Sequence, residues 1–413
     1  MLDEKTIKTV KETAPVLKEH SNEIGKRFYE LLFKKVPDLY NLFNQTNQKR
    51  GIQQEALAYS VYAAGENIDN LEAIEPVIRR VTEKHVAIGI EADQYPVVGE
   101  TLLEAVKDVL GETATDDILN AWGKAYAYIA DEFIRIENER YEEMKNMPGG
   151  WKGFRDFVVD KKEKESDLIT SFYLKPKDGK PIATFQPGQY LTIKADIPGE
   201  KYTHIRHYSL SDAPEKDYYR ISVKKEESGE QNPSGIVSNY LHESIEEGDV
   251  LSFSAPAGDF VVEPLDKPLV LISGGVGITP MMSMLNTYVE KDENREIKFI
   301  HSSRNGEIQP FKEQLTNLSQ NNDQVDYFVT YDSPTEEDRR ENRYNNEGHI
   351  DLEWLKSILP TNDADFYLCG PMPFLEAMVG QLNRWNVPKE QIKYEVFNPV
   401  AILGAEEGQR QYQ

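Results

Sequence analysis

A chain of 413 residues is longer than one hydrophobic core usually organises, so two or three domains are expected. Its 39% hydrophobic and 29% charged residues suit a globular protein, and a formal charge of −24 argues against nucleic acid and anionic membrane surfaces, which both attract clustered Lys and Arg. The lone Cys369 excludes an intrachain disulfide, a four-cysteine iron–sulfur cluster and a cysteine-rich zinc site, and it fits a reducing compartment.

The opening run "MLDEKTIKTVKETAPVL" is charged and amphipathic, unlike a signal peptide, and no apolar stretch of about eighteen residues occurs. A cytoplasmic protein without stable membrane insertion is therefore expected. Ile7, Val10, Ala14 and Leu17 keep helical spacing; a polar corner, "EHSN", holds His20; a second helix carries Ile24, Phe28, Leu31 and Leu32. Further helices are predicted at about 50–66, 74–88, 96–110 and 115–145. Asp93 before Tyr95-Pro96 and Thr115-Asp116-Asp117 before Ile118 read as N-terminal signals. Residues 1–147 are expected to form an all-α domain.

Pro148-Gly149-Gly150 breaks the last helix and reads as a linker. Residues 151–262 then give short β-rich runs, "RDFVVD", "LITSFYL", "QYLTIKA", "RHYSLS", "YRISVKK" and "DVLSFSA", the pattern of an antiparallel β-barrel. From Pro268 to residue 400, buried strands ("PLVLISGG", "EIKFIHSS", "VDYFVTY", "DFYLCGP") alternate with helices, which predicts an α/β domain on a parallel sheet. Residues 401–413 read as a tail.

Within "PLVLISGGVGITPMMSML", Gly274, Gly275 and Gly277 form a turn between strand and helix where a backbone can approach a pyrophosphate. Taken alone it is also an ordinary tight turn. "RHYSLS" adds an arginine for a phosphate, a tyrosine ring to stack on an isoalloxazine and a serine for its polar edge. "PGQYLTI" supplies Tyr190, and "GIVSNYLH" supplies Ser238 at a helix start. With "FYLCGP" and "YEVFNP" at the far end, residues 151–400 resemble the ferredoxin–NADP⁺ reductase superfamily. The resemblance implies FAD held by Tyr190, Arg206, His207, Tyr208, Ser209 and Ser238. It places Phe397 against the flavin, within the run Glu395, Val396, Phe397, Asn398 and Pro399. It also implies NADH or NADPH over Gly275, Val276, Gly277, Ile278, Thr279 and Pro280. Read by itself, His207 is equally an exposed strand residue. Ser303 and Arg304 suit a 2′-phosphate, whereas the acidic "TYDSPTEEDRR" favours NADH.

In the helical region, His85 of "VTEKHVAIGI" follows Val81 by four residues and Ile78 by seven, on an apolar face. Alone, it is a core histidine as readily as a ligand. His20 sits in a polar corner, so His85 is the histidine able to bind a metal from inside this domain, and a haem between helices is the economical acceptor for a flavin's electrons. "VPDLYNLF" looks like a globin corner with Phe43 set to wedge a porphyrin; Gln53 and Leu57 lie four apart, and Gln53 precedes His85 by 85 − 53 = 32 residues. Tyr29 shares a face with Gly25 and Phe33, either as an inward phenol or as a packed aromatic.

This region resembles a globin, and the chain from Met1 to about Pro399 resembles the bacterial and yeast flavohaemoglobins. The resemblance implies haem b on His85 and nitric oxide dioxygenase activity, with NO and O₂ as substrates. Tyr29 and Gln53 would be distal donors and Leu57 would restrict access. Tyr95 and Glu137 would form a proximal relay with His85, although a glutamate in "IENERYEE" can equally turn to solvent. Lys84 would lie near a propionate or the flavin, or be simply solvated. A monomer is expected. Two rival readings stay open: a diaphorase or ferric reductase, and an oxygen-binding gas sensor.

Overall fold

Asp3 opens the first helix, Glu4–Glu19, by accepting the Thr6 backbone N–H at 2.9 Å, which satisfies one of the amides that a helix start leaves unpaired. The structure, a computed structural model, describes residues 2–43, 57, 62–228, 234–263, 267–291 and 295–397. Four more long helices follow at Ser21–Lys35, Glu75–Ile88, Tyr95–Leu110 and Asp116–Asn146. Val10, Ala14 and Leu17 of the first are buried together with Phe28, Leu32, Leu102, Ala105 and Trp122 in one core. The Trp122 indole N–H reaches the Thr13 hydroxyl at 2.9 Å, so burying that ring leaves no unpaired donor. Gln53 and most of the helix expected at about 50–66 lie outside the described residues; 62–66 are helical.

Thr115 caps the last helix as expected, its hydroxyl accepting from Ile118 at 3.4 Å. Asp93 does not cap the one before. The capping side chain is Glu91, paired reciprocally with Gln94 around a short 3₁₀ turn, Ala92–Gln94, that precedes Tyr95. Periodicity shows an α-helix but not a 3₁₀ turn ahead of it, and two acidic residues two apart look alike in sequence.

The first six strands are β1 (Phe154–Lys164), β2 (Ile169–Pro176), β3 (Tyr190–Ala195), β4 (His204–Ser209), β5 (Tyr219–Lys224) and β6 (Val250–Ser254). They form one sheet in the order β4-β3-β6-β1-β2-β5. β1 pairs antiparallel with β2, with a bulge between Val159 and Lys161, and β2 pairs antiparallel with β5.

A second six-stranded sheet comprises β7 (Leu269–Gly274), β8 (Ile297–Ser303), β9 (Val325–Tyr331), β10 (Asn346–Glu347), β11 (Asp365–Cys369) and β12 (Ile392–Glu395), in the order β10-β9-β8-β7-β11-β12. Its pairings are parallel, and every residue of β7 and β11 is buried, which is why these strands read as unbroken apolar runs. Strand order reverses between β7 and β11. In an open α/β sheet, ligands bind beyond the carboxyl ends of the strands at such a reversal. Among the described residues no helix is long and apolar enough to cross a membrane.

Candidate functional site

His85 lies in the last turn of Glu75–Ile88. Gly89 ends that helix at φ +82°, and Gly89 and Ile90 both donate N–H groups to the His85 carbonyl. The imidazole is 31% exposed, and only its Nδ1 is engaged among the described residues. Glu137 Oε1 stands 2.7 Å from Nδ1, and the Tyr95 hydroxyl, itself 3.3 Å from Nδ1, donates to the same carboxylate oxygen at 2.6 Å. Glu137 is 2% exposed. A buried carboxylate beside Nδ1 assigns the ring proton to that nitrogen, leaving the Nε2 lone pair to face outward. That is the arrangement a haem iron takes from a histidine, so this site fits the group.

Neighbouring tyrosines fix the arrangement. Tyr126 donates to the Tyr95 carbonyl and Tyr141 to the Ile90 carbonyl, each at 2.7 Å. Burial, reinforced by the charge of Glu137, pushes the Tyr95 and Tyr126 hydroxyls far above the usual phenol range, so both remain proton donors. These two clamps were not legible from the sequence; a tyrosine at helical spacing looks like core filler. The Tyr29 ring is 8% exposed and packs against Phe28, Phe33 and Phe43. Leu57 packs at the edge of the same core. Lys84 is half-buried beside His85 in the chain.

On β4, Arg206, Tyr208 and Ser209 are half-buried and His207 is exposed. The His207 ring lies 4.8 Å from that of Tyr190. Gly258, at φ +111°, lies so close to the Tyr190 ring that a Cβ there would fall 2.8 Å from it. A side chain at 258 would therefore displace the ring. Ser238 is buried at the start of Ile236–Glu243, its hydroxyl 3.3 Å from both the Gly235 carbonyl and the Glu226 N–H. Phe397 is 50% exposed, an aromatic face of the kind a flavin covers, and Val396 before it is buried. Glu395 ends β12, and Asn398 and Pro399 lie outside the described residues.

The glycine turn sits at the carboxyl end of β7. Gly275 has φ +55° and is exposed; Val276 is half-buried; Gly277, Ile278, Thr279 and Pro280 are buried, the last three opening the helix Ile278–Glu290. A Cβ on Gly277 would stand 2.2 Å from the Cys369 carbonyl oxygen, so only glycine lets the turn meet the end of β11. Cys369 itself is fully buried and burial raises its thiol pKa, which makes it packing rather than a nucleophile. Ser303 donates its hydroxyl to the Asn305 carbonyl at 3.2 Å.

Three family models match: globin over residues 26–133, oxidoreductase FAD-binding domain over 156–262, and oxidoreductase NAD-binding domain over 271–380. A flavohemoprotein of Halalkalibacterium halodurans is 52% identical over 405 residues, covering 98% of each chain. One of Bacillus thuringiensis is 54% identical over 405 residues, covering 98% of this chain and 100% of the relative. Among solved structures, a Malassezia yamatoensis flavohemoglobin with bound FAD and heme aligns at a TM-score of 0.82 and 26% identity, covering 96% of this chain and 99% of that one. The FAD/NAD-binding domain of a Vibrio cholerae nitric oxide dioxygenase aligns at 0.54 and 40% identity over 59% of this chain and 98% of its own. The chain belongs to the flavohemoprotein family, a globin continued into FAD-binding and NAD-binding oxidoreductase modules.

Proposed function

We propose that this protein is a nitric oxide dioxygenase, converting NO and O₂ to nitrate with electrons from NAD(P)H. The observation that carries the reading is the His85–Glu137–Tyr95 cluster, on a chain that continues into FAD-binding and NAD-binding modules. When bound, the nicotinamide gives an electron pair as hydride, FAD divides it into single electrons, and haem b accepts them and activates O₂.

The chain's residues supply the rest. His85 would hold the haem iron through its Nε2. Glu137 accepts its Nδ1 proton and makes the imidazole a stronger electron donor, while Tyr95 holds the carboxylate in place. Tyr29 and Gln53 would donate hydrogen bonds to the oxygen substrate as it gains negative charge, and Leu57 would narrow access. Tyr190, Arg206, His207, Tyr208, Ser209 and Ser238 hold FAD, with the run Glu395–Pro399, above all Phe397, shielding it. Gly275–Pro280 carries the nicotinamide cofactor. NADH is favoured because the Ser303 hydroxyl is already committed to a backbone carbonyl and Asp338, by accepting the Gly306 N–H at 3.1 Å, puts negative charge beside the same loop. Lys84, half-buried next to His85 in the chain, would lie near a haem propionate or the flavin. Residues 1–147, 151–262 and 268–400 are the three modules, with 401–413 a tail. A monomer in the cytoplasm, without nucleic-acid partners, suits the charge of −24 and the buried lone cysteine.

Purified protein in air, supplied with NADH and NO, should form one nitrate per NO consumed. NADH oxidation that does not respond to NO would overturn the assignment in favour of a diaphorase.

A further inference from the structure

Asp212 lies three residues beyond Ser209, where β4 has left the sheet, and it is 8% exposed. Its Oδ1 accepts from the Asn286 side-chain amide and from the Ala213 N–H, both at 2.9 Å. Its Oδ2 accepts from the Tyr218 hydroxyl at 2.9 Å and has the Arg220 guanidinium at 3.8 Å. Its backbone carbonyl accepts from the Ser283 hydroxyl at 2.8 Å. Ser283 and Asn286 are 0% and 4% exposed and lie on Ile278–Glu290, the helix that begins at the glycine turn. Asn286 in turn accepts from Gln314 at 3.1 Å, on the following helix Lys312–Asn321.

A buried ionic cluster of this kind adds little net stability, because desolvating the charges offsets their attraction, but it admits only one arrangement of its donors and acceptors. Here one carboxylate residue is bonded to the segment continuing from the flavin strand and to the helix continuing from the nicotinamide turn. Apolar packing alone would let that helix slide; two directional bonds from it to one residue do not.

We propose that Asp212 is a positioning residue for hydride transfer, holding the helix Ile278–Glu290, and with it the nicotinamide turn, at a fixed distance from the flavin-binding strand. The proposal rests on the reading that the turn carries the nicotinamide and β4 the flavin. Hydride transfer needs its partners about 3–3.5 Å apart, and a displacement of about 1 Å can slow such a step about a hundredfold. Asp212 touches neither cofactor in this scheme and acts through the helix.

The test uses the full-length holoenzyme. In Asp212→Ala the carboxylate is gone, so the buried Asn286 amide loses its acceptor and an arm of the latch opens. Bound FAD and haem should match the parent. Anaerobic flavin reduction at saturating NADH should slow about ten- to a hundredfold, with half-saturation changed by less than about twofold. Backbone amides of residues 278–287 should exchange hydrogen faster with no nucleotide added. Asp212→Asn, whose amide oxygen still accepts from Asn286 and Ala213 while its N–H₂ donates to a turned Tyr218 hydroxyl, should recover most of the rate. If Asp212→Ala does not fold, Ser283→Ala decides: slower flavin reduction supports the proposal, and a parental rate overturns it. A parental limiting rate in Asp212→Ala, whether or not half-saturation or exchange changes, also overturns it. A parent protein whose flavin NADH does not reduce would instead overturn the proposed function.

Discussion

Glu137 Oε1 is shared by two partners, His85 Nδ1 at 2.7 Å and the Tyr95 hydroxyl at 2.6 Å, although the three residues come from three different helices. Glu137→Gln keeps the shape and removes the charge that draws the imidazole proton. Haem should stay bound, the iron–histidine stretching frequency of the deoxy ferrous form should fall, and NO turnover should drop about 10–100-fold. An unchanged stretch and turnover would make the carboxylate purely structural.

Tyr29→Phe removes a hydroxyl and leaves the ring among Phe28, Phe33 and Phe43, so the fold should be little affected. Oxygen should dissociate about tenfold faster, equivalent to about 1.4 kcal/mol for a hydrogen bond to a partly charged acceptor. Flash photolysis gives the rate, and a parental value would reduce Tyr29 to packing.

Arg206 is half-buried on β4, its guanidinium donating to the Ile205 carbonyl at 2.7 Å. Arg206→Ala removes a cation suited to a phosphate, so the purified variant should lose FAD on gel filtration while keeping its haem. Stoichiometric FAD after the same procedure would place the phosphate contact elsewhere.

His301, on β8, is fully buried with Nδ1 2.9 Å from the Ser273 hydroxyl, and burial lowers its pKa from 6.5 to about 3. The folded chain keeps this ring neutral, whereas the unfolded chain protonates it below pH 6.5. Its contribution to stability is therefore complete above pH 6.5 and is lost as the pH falls toward 3, by about 1.4 kcal/mol per pH unit. His301→Asn should be less stable at neutral pH and show a shallower acid limb in urea titrations between pH 6 and 4. Parallel limbs would mean that the ring does not charge on unfolding.

Helical periodicity and unbroken apolar strands made three architectures readable, because burial of one face or of both leaves a direct mark on residue order. Contacts between distant segments leave no such mark. Glu137 is 52 residues from His85, and its own helix-end surroundings allow solvent as well as imidazole; family resemblance, not spacing, pointed to the pair. Arg220 in "YRISVKK" looks like a surface cation, yet it is 5% exposed, with its guanidinium 5.2 Å over the Phe311 ring. Asp212 and Asn286 are 74 residues apart, and neither stands in a motif. β10 is two residues long, too short for any pattern to show.

The helix Asp116–Asn146 holds Trp122 on Thr13, Tyr126 on the Tyr95 carbonyl, Glu137 on His85 and Tyr141 on the Ile90 carbonyl. Each added or deleted residue turns everything beyond it by about 100° and shifts it about 1.5 Å. A single-codon insertion or deletion between positions 127 and 136 would therefore leave the first two contacts in place and pull Glu137 and Tyr141 away from their partners together. Point substitutions can sample that stretch one side chain at a time, but changes of chain length cannot. Descendants of this gene are free to vary the length of their loops and tail, while the count of residues from Tyr126 to Tyr141 stays fixed for as long as the histidine keeps its carboxylate.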